Sequence, residues 1–171
     1  MKRLINTTAL LLFALVAAAQ NDVIAKHFTD YEKSESFTKI SVSAKMFELF
    51  THVESDDPDE KEILEAISKL TGMRMIAKTD SVGGAGLYQT ALKRTGKEYE
   101  VLMTVDDPTE DITFLIKEKS GVVNELVMIG YGGGEFFVLS LLGDIDLSQI
   151  SKLARALEID KMNYLENVEE K

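Results

Sequence analysis

The chain has 171 residues, 29 acidic against 19 basic, a formal net charge of −10, two histidines, and neither cysteine nor tryptophan. A disulfide framework, a thiolate metal site, a cysteine nucleophile and a lipid-modified cysteine are therefore all excluded. The acidic excess repels phosphate backbones and no basic stripe offsets it, so nucleic acid is not an expected partner.

Lys2 and Arg3 precede an apolar run from Ala9 to Val16 and the small residues Ala17-Ala18-Ala19. This order of basic, apolar and small residues reads as a secretory signal peptide over 1–19. The apolar stretch is well short of the roughly 20 residues that a spanning helix needs, so no transmembrane span is expected after cleavage. The mature chain would begin at Gln20, and losing Lys2 and Arg3 but no acid takes the charge from −10 to −12. The expected organisation is a single α+β domain over 20–158, then a polar tail over 159–171. The expected location is the periplasm, with release from the cell as the alternative. A mature chain of about 150 residues can stand on its core alone, since domains of that size bury around 68–70% of their unfolded surface.

Val23, Ile24, His27, Phe28 and Tyr31 recur at helical spacing and predict a helix over Asn21–Tyr31. His27 falls on its apolar side, where it is expected to pack rather than to bind, having no visible partner. Phe37 to Val42 predicts a strand, and Ser43 is placed to cap a helix carrying Met46, Phe47, Leu49 and Phe50. In Glu54–Glu60, Asp57 suits an N-cap, Pro58 the first helical position, and Glu60 the third, completing a capping box. The helix that follows carries Ile63, Leu64, Ile67 and Leu70, with Gly72 expected to end it. The same acids, Asp56, Asp57, Asp59 and Glu60, are the candidate calcium ligands, although the spacing of a calcium-binding loop is missing.

Met73–Lys78 alternates as a second strand, its methionines serving as core filler. Gly83-Gly84-Ala85-Gly86 lacks the Lys-Ser/Thr of a phosphate loop and reads as a connection into a helix with Leu87, Tyr88, Ala91 and Leu92. From Tyr99 the period becomes two. Strands over Tyr99–Val105, Ile112–Lys117, Val122–Tyr131 and Glu135–Leu142 are separated by Asp106-Asp107-Pro108-Thr109, Ser120-Gly121 and Gly132-Gly133-Gly134, which predicts a four-stranded antiparallel meander. The triple glycine lies between strands rather than before a helix, so it reads as a hairpin turn and not as a phosphate cradle. Asp146 and Gln149 frame a capping box for a last helix carrying Leu147, Ile150, Leu153, Ala154 and Leu157.

Phe136 to Ala154, with its Gly143-Asp144-Ile145-Asp146-Leu147 turn, resembles the closing strand, turn and helix of the exported bacterial domain-of-unknown-function family 4252, found chiefly in Bacteroidetes. Tyr31-Glu32-Lys33, Phe37 to Phe47, Tyr99 to Met103 and Glu125 to Met128 agree in order. The resemblance implies an envelope protein of a diderm bacterium, with no assigned activity and no catalytic residues to carry over. Members are often lipoproteins; this chain has no cysteine to acylate and departs from them there.

No Gly-x-Ser-x-Gly motif is present, and the many carboxylate pairs fall at turns, so no catalytic residue is assigned and a non-catalytic role is expected. A hydrolase whose site is not visible in the sequence is the lesser alternative. No cofactor is expected. Val127, Ile129 and Tyr131, and Phe137, Leu139 and Leu141, alternate with further apolar residues, Met128, Phe136 and Val138. Both sides of the last hairpin are therefore apolar. Either helices or the N-terminal segment cover both sides, or one side receives a protein partner, an apolar ligand or a second copy as a homodimer. Tyr131, Phe136, Phe137, Leu139 and Leu141 are the binding candidates on the second reading. A calcium-dependent envelope protein using Asp56, Asp57, Asp59 and Glu60, or Asp106, Asp107, Glu110 and Asp111, is the alternative function.

Overall fold

The computed structural model describes residues 22–148, apart from 51, 53–54 and 80–82. The elements in chain order are α1 (Val23–His27), α2 (Thr29–Lys33), β1 (Thr38–Ser43), α3 (Ala44–Phe50), α4 (Pro58–Ser68), β2 (Leu70–Lys78), α5 (Gly84–Arg94), β3 (Glu100–Asp106), β4 (Glu110–Lys119), β5 (Val122–Gly132) and β6 (Glu135–Ile145). The six strands form one antiparallel sheet in the order β1-β2-β6-β5-β4-β3. The fold is α+β, and the expected C-terminal meander is β3 to β6. The expected last helix beyond Ser148, the signal segment and the polar tail lie outside the described residues.

The meander follows from its turns. Ser120 (φ 57°) and Gly121 (φ 81°) join β4 to β5, and Gly133 (φ 58°) and Gly134 (φ 81°) join β5 to β6. Two successive positive φ values match the twist of flanking strands, which is why such two-residue loops select glycine. Between β3 and β4, the Asp107 carboxylate accepts from the Thr109 amide and hydroxyl and the Glu110 amide at 2.6–3.0 Å. Those donors hold its pKa below the usual aspartate value.

Two local expectations need correction. The first helix is broken into α1 and α2 at Phe28, whose backbone leaves helical geometry (φ −126°, ψ 27°) while its side chain is fully buried. Gly72 does not end a helix: α4 stops at Ser68 and β2 begins at Leu70. Gly72 pairs with Leu142 across the sheet, and a Cβ there would touch the Leu142 side chain at 3.4 Å. The tertiary pairing of Leu70 with Gly143 overrides the helical spacing of Leu70.

Helices cover both faces of the sheet. On one face, α1, the Phe28 junction and α5 place Ile24, Phe28, Tyr88 and Ala91 over Ile76, Val127, Ile129, Phe136 and Val138. On the other, α3 and α4 place Phe47, Ile63 and Ile67 against the cluster of Met128, Phe137 and Leu141. The sheet is thus the middle of three layers, and β6 and β5 are its central strands, which explains why both sides of that hairpin are apolar.

Candidate binding site

The hairpin candidates are core. Phe136, Phe137 and Leu141 are buried, and Leu139 and Tyr131 are partly so. Phe136 is closed over by the N-terminal segment: Tyr31 stacks on Phe37 with centroids 4.7 Å apart, and both meet the Phe136 ring edge-on at 6.2 and 6.4 Å. Such contacts contribute about 0.5–1.5 kcal/mol each beyond area burial. Phe137 lies on the opposite face over Gly130, where any Cβ would collide with its ring. Pairing through this hairpin is excluded by its central place in the sheet. The five residues do not form one surface, because Phe137, Leu139 and Leu141 belong to the α3 face and Phe136 and Tyr131 to the α1 face.

The acidic segment caps a helix, though not as the reciprocal box. Asp57 accepts the Glu60 amide at 3.4 Å, but the Glu60 carboxylate takes the Ser55 hydroxyl at 2.5 Å, and Ser55 Oγ accepts the Asp57 amide at 3.1 Å. Ser55 thus does what Glu60 was expected to do. Asp56 is exposed, and the side chain of Asp59 lies outside what is described. Among the described residues no three His, Asp or Glu side chains gather closely enough to hold a metal ion.

The polar groups that do converge lie on the α1 face. Ser41, Arg74 and Ser140 are opposite one another on β1, β2 and β6 and form a row across three strands. At its centre Arg74 donates to Asp22 at 2.7 Å and to Glu32. Asp22 is buried and also caps α1, its other oxygen accepting the Ile24 and Ala25 amides at 2.9 Å. Two charge-assisted contacts from one guanidinium therefore fix α1 and α2 to the sheet.

A second buried carboxylate completes the attachment. Glu125, only 1% exposed, accepts from the Val23 amide at 2.8 Å, the Tyr99 hydroxyl at 2.7 Å and the Ser140 hydroxyl at 2.7 Å. Lys117 Nζ stands 4.0 Å away. Burial, and then the Glu125 charge, push the Tyr99 hydroxyl well above its ordinary pKa, so it remains a donor. His27 Nε2 comes within 3.5 Å of Glu98 without forming a hydrogen bond, in space left by Gly96, where a Cβ would come within 2.9 Å of that nitrogen. The sequence reading missed Asp22, Glu32, Arg74, Glu98 and Glu125. Parity gave one available signal, since Glu125 shares the side of β5 that carries Val127 and Ile129.

Beside this network, between β1 and the helices α1 and α2, lies a cleft of about 1010 Å³. Its lining includes Ile24, Ile76 and Leu142, with Thr29, Ser41, Ser43 and Thr71 as neutral polar groups. Glu32 and Arg74 neutralise each other there. Lys39 is exposed and lines the same cleft, and among the described residues it has no ion-pair partner. Chemically, the cleft offers apolar contact, hydroxyl groups and one uncommitted cation. Among the described residues lining it, no hydroxyl is hydrogen-bonded to a carboxylate or an imidazole, and Thr29 donates to the Ala25 carbonyl.

No helix among the described residues is long and apolar enough to cross a membrane. Comparison with curated proteins and with solved structures finds no match. The sequence model of the domain of unknown function DUF4252 matches residues 31–153, and the chain belongs to that family.

Proposed function

We propose that this is an exported, non-catalytic cell-envelope protein that acts by binding, and that its ligand surface is the cleft beside β1 rather than the last hairpin. One observation carries the reading: Lys39 is uncommitted in a mostly apolar recess, whereas the other charged groups lining that recess, Arg74 and Glu32, are tied to each other. The ligand chemistry this suits is an apolar body with an anionic end, the apolar part replacing water over Ile24, Ile76 and Leu142. Burial of the hairpin candidates removes the competing surface, and the commitment of Asp22, Arg74 and Glu125 to structural bonds supports a role without catalysis.

The test uses an anionic apolar fluorophore, 1-anilinonaphthalene-8-sulfonate, with folded protein. Saturable enhancement at one site, lost in Ser41→Trp and weakened in Lys39→Glu while both variants keep native circular dichroism, supports the cleft. No enhancement, or enhancement indifferent to both substitutions, rejects it. Export is tested separately by mass spectrometry of the protein in the envelope fraction. A chain beginning at Gln20 is expected, and a chain that retains Met1 in the cytoplasm would reject export.

A further inference from the structure

The two edges of the sheet differ. β1 pairs with β2 over all six residues without a register break, whereas β3 carries a bulge between Val101 and Met103 and is flanked by exposed Glu100 and Asp106. Bulges and edge charges are the usual means of blocking strand addition, so β3 is protected and β1, with one lysine, is less so. Three of the four large apolar side chains exposed among the described residues also belong to β1 or the helix that follows it: Ile40 (45%), Met46 (48%) and Leu49 (56%).

We propose that β1 pairs with β1 of a second copy, antiparallel and about a twofold axis normal to the sheet, to give a continuous twelve-stranded sheet in a closed dimer. The inference does not rest on the cleft reading, although Ile40 and Ser41 border both surfaces. Such an axis keeps the faces in register only if opposite residues share parity, which leaves the strand centred on Ser41 or on Ile40. Charge decides between them. Centred on Ile40, the two Lys39 side chains stand two residues apart along the ribbon, about 7 Å; centred on Ser41 they stand four apart, about 13 Å, at a rise near 3.3 Å. The second separation exceeds the Debye length of about 8 Å at physiological salt, so the repulsion is screened. Ser41 then faces Ser41 of the other copy, and Ile40 faces Val42 on the α3 side. A six-residue ribbon alone falls short of the 1,200 Å² or so of a stable interface, and the exposed Met46 and Leu49 on the following helix are the apolar surface available to widen it. A twofold contact closes on itself, whereas β1 laid on β3 would build an open chain.

The native chain has no cysteine, so single cysteines report proximity cleanly. Light scattering after size exclusion on the full-length gene product, as its cells process it, is expected to give twice the chain mass for wild type and for Val101→Lys. Ile40→Lys is expected to give the single chain mass with native circular dichroism. Under mild oxidation Ser41→Cys should form a covalent dimer at least about tenfold faster than Thr104→Cys, since directly opposite Cβ atoms stand about 4.5–5.5 Å apart. Cross-linking stands even if Ile40→Lys fails to fold. A monomeric wild type at high micromolar concentration, equal cross-linking at positions 41 and 104, or an open ladder of oligomers dissolved by Asp106→Lys would each overturn the proposal.

Discussion

Removing the Glu125 carboxylate should loosen α1 before it loosens the sheet. In Glu125→Ala three donors lose their acceptor at once: the Val23 amide, the Tyr99 hydroxyl and the Ser140 hydroxyl. An unsatisfied buried donor costs about 1–3 kcal/mol. The two hydroxyls can rotate toward other acceptors, which puts them near 1 kcal/mol each, while the Val23 amide is fixed by the helix and stands near 2, for a total of about 4 kcal/mol. Against a domain stability of about 5–15 kcal/mol this is a large fraction, and at about 2–4 °C per kcal/mol the melting temperature should fall by about 8–16 °C. Glu125→Gln keeps one acceptor oxygen but turns an amide NH2 toward the remaining donors, so it should lie between wild type and Glu125→Ala. Urea and thermal unfolding measure the global term. Hydrogen exchange measures the local one: protection should fall further at Val23 and Ile24 than at Met128 and Ile129 on the central strand. A loss under about 1 kcal/mol, smaller than one orphaned amide, would refute the reasoning. So would equal loss of protection in α1 and β5, which would make Glu125 a general core residue rather than the attachment of the N-terminal helix.

Three further outcomes follow from the same contacts. Phe137→Ala should cost about 3–5 kcal/mol in urea unfolding, and Phe137→Asp should yield no folded species by near-ultraviolet circular dichroism; a folded Phe137→Asp monomer would contradict the core assignment. Glu98 is held down to about 2 by the Lys26 ammonium, then by its own backbone amide and by His27. A folded value below the ordinary 4.5 means that this contribution is complete above that pH and is lost as pH falls toward 2. The urea midpoint should therefore drop more for wild type than for Lys26→Met on going from neutral into that acid range, and parallel drops would remove Glu98 from the account. Millimolar calcium should leave the melting temperature where matched ionic strength leaves it, because Asp57 and Glu60 are engaged with Ser55 and the helix start; a calcium-specific rise would instead show binding to the native state.

The meander was legible because its signals are local. Ser120-Gly121 and Gly133-Gly134 set the turns, and the residues between them alternate. The apolarity of both sides of β5 and β6 was also legible, but not its cause, because the cover comes from far away in the chain: Tyr31 and Phe37 close over Phe136. Periodicity reports that a face is buried and says nothing of what buries it. The same limit hid the polar network. Asp22, Arg74, Glu125 and Ser140 each look like an ordinary residue in a helix cap or a strand, and only the order β1-β2-β6-β5 brings them together.

The strand order also decides which strands are left at the edges of the sheet. Among the described residues β5 and β6 form the last hairpin, yet β2 adds to β6 and β1 to β2, which pushes that hairpin to the centre of the sheet. That addition transfers the exposed edge to an early segment, Thr38–Ser43, whose alternation of Lys, Ser and Ser with Ile and Val is what a strand with one wet and one dry side requires. On the wet side, Lys39, Ser41 and Ser43 line the cleft. On the dry side, Ile40 remains 45% exposed. The cleft and the strand edge thus trace to one arrangement: among the described residues β1 joins the sheet beyond β2 as an edge strand, and five of its six residues are exposed.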